Sequence, residues 1–113
     1  MGVSEADQRG RSSSEKAKGL EAQALVVAYH QEQLRVLLEH VRSAFERLDA
    51  GEIDEFELDD LIHRYKRAAK HLWVFCEASG GKPLYTADVI TQLRDRGEDR
   101  DWWAESARPR ERS

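Results

Sequence analysis

Two stretches of the chain share one hydrophobic register. Leu34, Val41 and Leu48 stand seven apart with Leu37, Leu38, Ala44 and Phe45 between them; Leu58, Tyr65 and Leu72 repeat the spacing with Leu61, Ile62, Ala68, Ala69, Phe75 and Cys76. Written as heptads, both place apolar residues at a, d and e, which on a 3.6-residue period makes one broad apolar stripe along a helix. Two such stripes joined by a short glycine-containing link predict an antiparallel helical hairpin, and the fold class is all-α.

The pattern divides the chain further. Residues 1–18 contain no periodic apolar positions and many Ser, Gly and charged residues, so they read as a flexible tail that cannot repay ordering entropy by burial. The first helix is expected over 20–50, with Leu20 and Val27 extending the register backwards and the d slots turning polar at Gln23 and His30. Gly51 suits a helix end at positive φ. Asp54 and Glu57 form a capping box for the second helix, with Ile53 and Leu58 placed as a hydrophobic staple. That helix is expected over 55–78, before the breaker run Ser79-Gly80-Gly81-Lys82-Pro83. A third is expected over 87–96, capped by Thr86 and stopped by Gly97. The helical domain as a whole spans 19–103, and 104–113 read as a second flexible tail.

Counting outward from Gly51, Phe75 falls opposite Val27, so the first helix overruns the second by about two turns. Leu20, Ala24, Leu25 and Val26 then need cover from outside the pair. Either the third helix with Trp102 and Trp103 supplies it, or a second copy does, as a dimeric four-helix bundle.

Composition narrows the class. At 113 residues the chain holds one domain, and 40% hydrophobic with 35% charged residues suits amphipathic helices. No apolar run approaches the ~20 residues of a membrane span, and no signal-peptide pattern opens the chain. Cys76 is the single cysteine, so no internal disulfide forms; a thiol on the apolar stripe fits a reducing compartment, and the cytoplasm is the expected location. The net charge of −4 argues against broad nucleic-acid binding as the main activity.

No catalytic, cofactor or metal motif is present. Asp60 and His63 share a face at i, i+3, but the facing core slots carry Leu, Ile, Val, Phe and Ala rather than carboxylates. Cys76 sits on the buried stripe, where a thiol is inert. The basic run of His63, Arg64, Lys66, Arg67, Lys70 and His71 follows an acidic helix start; it reads either as a solvated face with i, i+4 pairs such as Asp59 with His63, or as a patch for an anionic partner. Trp102 and Trp103 read either as an intramolecular lid or as a partner anchor, and Trp73 widens the second stripe.

The run Leu48-Asp49-Ala50-Gly51-Glu52-Ile53, the acid-rich helix start, and Tyr65, Leu72 and Cys76 resemble the helical hairpin of the exonuclease VII small subunit over about forty residues. The interval from Gly51 to Tyr65 is about three residues longer than in that family, which also lacks a tryptophan-bearing third element. The resemblance implies a non-catalytic subunit that packs its hairpin on a larger nuclease chain.

The functional expectation is a non-catalytic accessory protein that binds a protein partner or a second copy. Trp73, Trp102 and Trp103 are the expected contact residues, with His63, Arg64, Arg67 and Lys70 as an electrostatic rim. The alternative is a nucleic-acid-binding regulator using the basic face of the second helix. Neither cofactor, metal nor membrane enters the expectation.

Overall fold

The computed structural model describes residues 3–77 and 83–107, with side chains from Glu15 onward. It is all-α: α1 Val3–Asp49, α2 Glu55–Glu77, α3 Pro83–Asp95 and α4 Trp102–Glu105, with no strand among the described residues. Residue 78, expected to end the second helix, the Ser79–Lys82 stretch and residues 108–113 lie outside the description.

The turn between α1 and α2 is built from local signals. Gly51 has φ of 75°; its N–H donates to the Leu48 carbonyl and that of Glu52 to Arg47, which closes α1 with a Schellman motif. Asp54 and Glu57 then cap α2 reciprocally, the Glu57 amide donating to Asp54 Oδ1 at 2.8 Å and the Asp54 amide to Glu57 Oε1 at 3.0 Å. Ile53 and Leu58 are buried together with Ala44, and Leu48, Leu61 and Ile62 pack around them. From there α2 runs back beside α1, and the Tyr29 and Phe75 rings meet at 5.9 Å.

Three boundaries differ from the sequence expectation. Helix α1 begins at Val3, not near Leu20: the stretch before Leu20 has no apolar stripe, yet its Ala, Glu, Gln, Lys and Arg residues propagate a helix once the downstream turns have nucleated it. Helix α3 begins at Pro83, which is suited to a first helical position because its φ is already set and it has no N–H to leave unpaired. Thr86, expected as the cap, lies inside α3 on its buried side with Ala87 and Ile90. The helical domain also runs past Trp103. Asp101 caps α4 by accepting from the Ala104 amide, and Ser106 at the helix end is buried.

The main core joins all four helices. Ala22, Val26, Tyr29 and Leu37 of α1 meet Ala68, Leu72 and Cys76 of α2, Ala87 and Ile90 of α3, and Trp102 of α4. Gly97 ends α3 at φ of 68°, with the Glu98 amide donating to Leu93 and that of Gly97 to Arg94, and this second Schellman turn directs the chain back across α1 and α2. The overrun of α1 is covered only in part from within the chain: Ala22 and Val26 are buried in one core with Ala87 and Ile90 of α3, and the Arg94 guanidinium reaches Glu32 at 3.0 Å, while Leu20 and Ala24 stay exposed.

The buried face of α1 is rotated from the heptad assignment. Leu37 is 1% exposed and Leu38 50%. The d positions Leu37 and Ala44 are buried, the a positions Leu34, Val41 and Leu48 are half-buried, and the e positions Leu38 and Phe45 face outward.

Candidate functional site

The expected contact residues separate into two groups on opposite sides of the molecule. The first gathers around the C-terminal segment. The Asp101 cap and the short α4 turn Trp102 inward until it is 3% exposed. Its Nε1–H donates to the Tyr29 hydroxyl at 3.0 Å, and its ring lies 5.3 Å from that of Phe75. Arg100 covers the other side of the indole with its guanidinium 4.0 Å from the ring centre, and holds Glu105 through two hydrogen bonds of 3.1 and 2.6 Å. That pairing keeps the Glu105 carboxyl below the ordinary carboxylate value, while burial raises the Tyr29 phenol.

Trp103 is half-buried between two side chains. The His40 imidazole stacks on its ring at 4.3 Å with planes 2° from parallel, and the Arg64 guanidinium lies 4.3 Å from the same ring. Arg64 also donates to the Trp103 carbonyl from Nη2 at 2.8 Å and from Nε at 3.2 Å, and from Nε to Ser106 Oγ at 3.2 Å. Arg67 donates to the Ser106 carbonyl at 3.2 and 3.4 Å. The two arginines therefore tie the end of α4 to α2, Arg64 at the Trp103 carbonyl, which also accepts from the Ser106 amide and hydroxyl, and Arg67 at the Ser106 carbonyl. Burial and the neighbouring Arg67 lower the Arg64 pKa from its ordinary value.

The basic run of α2 is thus two rows. Arg64, Arg67 and His71, at i, i+3 and i+7, face α4; His71 lies near enough to bear on the Glu105 carboxyl. His63, Lys66 and Lys70 have the same spacing one position earlier and stay exposed, with His63 Nδ1 2.8 Å from the Asp59 carbonyl. Sequence reasoning grouped these residues by sign; the i, i+3, i+7 spacing was the available signal for separating them. It also missed Arg100, which covers the Trp102 and Phe75 rings.

The second group is on the open side of α1 and α2. Trp73 is 54% exposed. On α1, Leu20, Val27, Leu38 and Phe45 are exposed, and Leu34 between them is half-buried. Tyr29, Glu32 and His40, which meet α3 and α4, occupy a different face of α1. The exposed row therefore looks away from the C-terminal segment.

Other reactive groups are built into the core or sit singly. Burial pushes the Cys76 thiol up to about 11. His30 is half-buried, 3.7 Å from Glu77. Among the described residues no three His, Cys, Asp or Glu side chains converge as a metal site, and no helix is long and apolar enough to cross a membrane.

No protein-family model, curated protein or solved structure matches this chain.

Proposed function

We propose that the protein is a non-catalytic accessory protein built on the α1–α2 helical hairpin, and that it works by protein contact through the open side of that pair. The observation that carries this reading is the apolar row Leu20, Val27, Leu34, Leu38 and Phe45. Leu20, Val27, Leu38 and Phe45 are exposed on one helix face, and Leu34 between them is half-buried against the core. Exposed apolar side chains gathered on one helix face mark an interaction site more often than scattered single residues do. Trp73 adds an aromatic anchor of the type enriched at interface centres, with His63, Lys66 and Lys70 on the exposed surface of the same helix.

Trp102 and Trp103 have a different role in this reading. They close the molecule on itself, and Arg64 and Arg67 hold them in place. The nucleic-acid alternative loses support for the same reason, since the two arginines it would rely on are paired with Trp103 and Ser106.

The test is capture from native lysate with the full chain as bait, alongside measurement of self-association. Leu38→Glu with Phe45→Glu is expected to abolish the specific association while leaving helical circular dichroism unchanged, because each side chain is already half in water and can turn its carboxylate outward. Association that persists unchanged in this variant would refute the reading. Binding to duplex DNA that falls steeply with salt and depends on Lys66 and Lys70 would favour the regulator instead.

A further inference from the structure

The open face is apolar along its centre and cationic along both edges. Leu34, Leu38 and Arg42 follow at i+4 steps, each turning about 40° farther around α1, from core-packed to half-exposed to charged. Arg35, one heptad before Arg42, lies on the same edge; it stands three residues before Leu38, as Arg42 stands three before Phe45. On α2 the same i+4 steps lead from half-buried Ile62 to exposed Lys66 and Lys70, with exposed Trp73 three residues beyond Lys70. Arg64 and Arg67 belong to the other edge of α2, where α4 holds them.

The two cationic edges stand at one level. Tyr29 meets Phe75 and Ala44 packs with Leu58, so the intervening stretches run antiparallel and bring Lys66 and Lys70 level with residues 34–38 of α1. Arg35, Lys66 and Lys70 have no ion pair among the described residues, and Arg42 has Glu39 of its own helix at 3.7 Å. Acids reappear toward the turn: Asp49, Glu55 and Asp59 are exposed, and Asp59 lies 3.5 Å from His63. Cations therefore flank the middle of an apolar face whose turn end is negative.

This charge pattern selects among occupants. A phosphate backbone gains nothing from Leu38 and Phe45 lying between its contacts, and the acids near the turn repel it. The same acids oppose a broad anionic bilayer. A second copy laid over this span about a two-fold axis sets the cations against their own kind. One amphipathic helix with carboxylates on both flanks of an apolar line meets every feature. Its apolar line fills the groove at Leu38, Phe45 and Trp73, while its flanks reach Lys66 and Lys70 on one side and Arg35 and Arg42 on the other. From the level of Trp73 to Phe45 the face is about 22 Å long, which a helix of about 15 residues spans.

We infer that the open face binds an acidic amphipathic helix of a partner protein, apolar along one line with Asp or Glu on both sides of it. This rests on the reading of that face as the docking surface. The apolar line supplies affinity, and the two cationic edges set orientation and reject basic helices.

Selection from a displayed peptide library tests it, with the full chain as bait. Each library member is a helix of about 15 residues with Leu fixed along one line and Glu, Gln or Lys allowed at the flanking positions. Glu is expected to dominate both flanks. Arg35→Glu with Arg42→Glu should turn the preference on one flank to Lys, and Lys66→Glu with Lys70→Glu the preference on the other, with helical circular dichroism retained in both. A selected peptide followed by fluorescence anisotropy should bind either variant about tenfold more weakly than the wild type, and lose affinity as salt rises. Selection of Gln or Lys flanks by the wild type, or an unchanged preference in the variants, overturns the inference. So does tighter binding to duplex DNA or to phosphatidylserine vesicles than to the selected peptide, or a two-chain mass in sedimentation equilibrium that Leu38→Glu returns to one. No selected peptide, with capture from lysate that still depends on Leu38 and Phe45, removes the inference and leaves the docking reading standing; loss of both removes the two together.

Discussion

The Trp102 indole donates its N–H to the Tyr29 hydroxyl at 3.0 Å, joining the last helix to the middle of the first across 73 residues of sequence. Both side chains are buried, so each supplies the other's polar partner where water cannot. The bond fixes the C-terminal segment as part of the core.

Trp102→Ala is expected to destabilise the fold by about 3–5 kcal/mol, through lost burial and the cavity left beside Phe75 and Tyr29. Tyr29→Phe keeps the ring but leaves the indole N–H without a partner, costing about 1–3 kcal/mol. Urea denaturation followed by circular dichroism separates the two. A loss below 1 kcal/mol for Trp102→Ala would show that the segment contributes little to the fold.

Arg64→Ala removes a charged donor shared by the Trp103 carbonyl and Ser106, as well as the guanidinium over the Trp103 ring, at an expected cost of about 1–2 kcal/mol. Trp103 emission should shift to the red and the chain after Gly97 should become easier to cleave by protease. Lys66→Ala, one row away, should alter neither measurement.

Acid loosens the same segment. Arg100 holds the Glu105 carboxyl below its ordinary pKa of 4.5, so Glu105 favours the folded state above that value and the contribution is lost as pH falls through the lowered folded-state pKa. Tryptophan fluorescence followed from pH 7 downward should show an acid transition whose midpoint moves in Glu105→Gln. An unchanged profile in that variant would place the transition on other carboxylates.

Gly51 and Gly19 respond oppositely to alanine. Gly51→Ala forces a side chain to φ of 75° and should cost about 1 kcal/mol, although the space around its Cβ is empty. Gly19→Ala lies inside α1 with equal space and no strained dihedral, so it should add about 0.5–1 kcal/mol of stability. Thermal melts of the two variants should shift in opposite directions.

Local features were legible where neighbouring residues decide the outcome. The turn at Gly51, the Asp54–Glu57 box and the Ile53–Leu58 staple each need only residues within a few positions, and all three are present. The candidate contact residues were less legible. Trp102 and Trp73 are the same residue type in apolar surroundings, yet one is buried and the other half in water, because a core against Tyr29 exists only once Gly97 has turned the chain back. Arg64 and Lys66 were equally unresolved: which cation finds a carbonyl depends on where α4 comes to rest.

The sequence by itself determined that the chain is all-α, where the α1–α2 link turns, and that its apolar stripe is wider than a two-helix contact can bury. Those properties follow from periodicity, dihedral preference and side-chain volume, which are carried by short stretches of chain. Only the tertiary structure decided which edge of the stripe is buried. Once α3 and α4 pack against the Tyr29 and Leu37 side of α1, the limited area of one helix face leaves Leu38 and Phe45 in solvent.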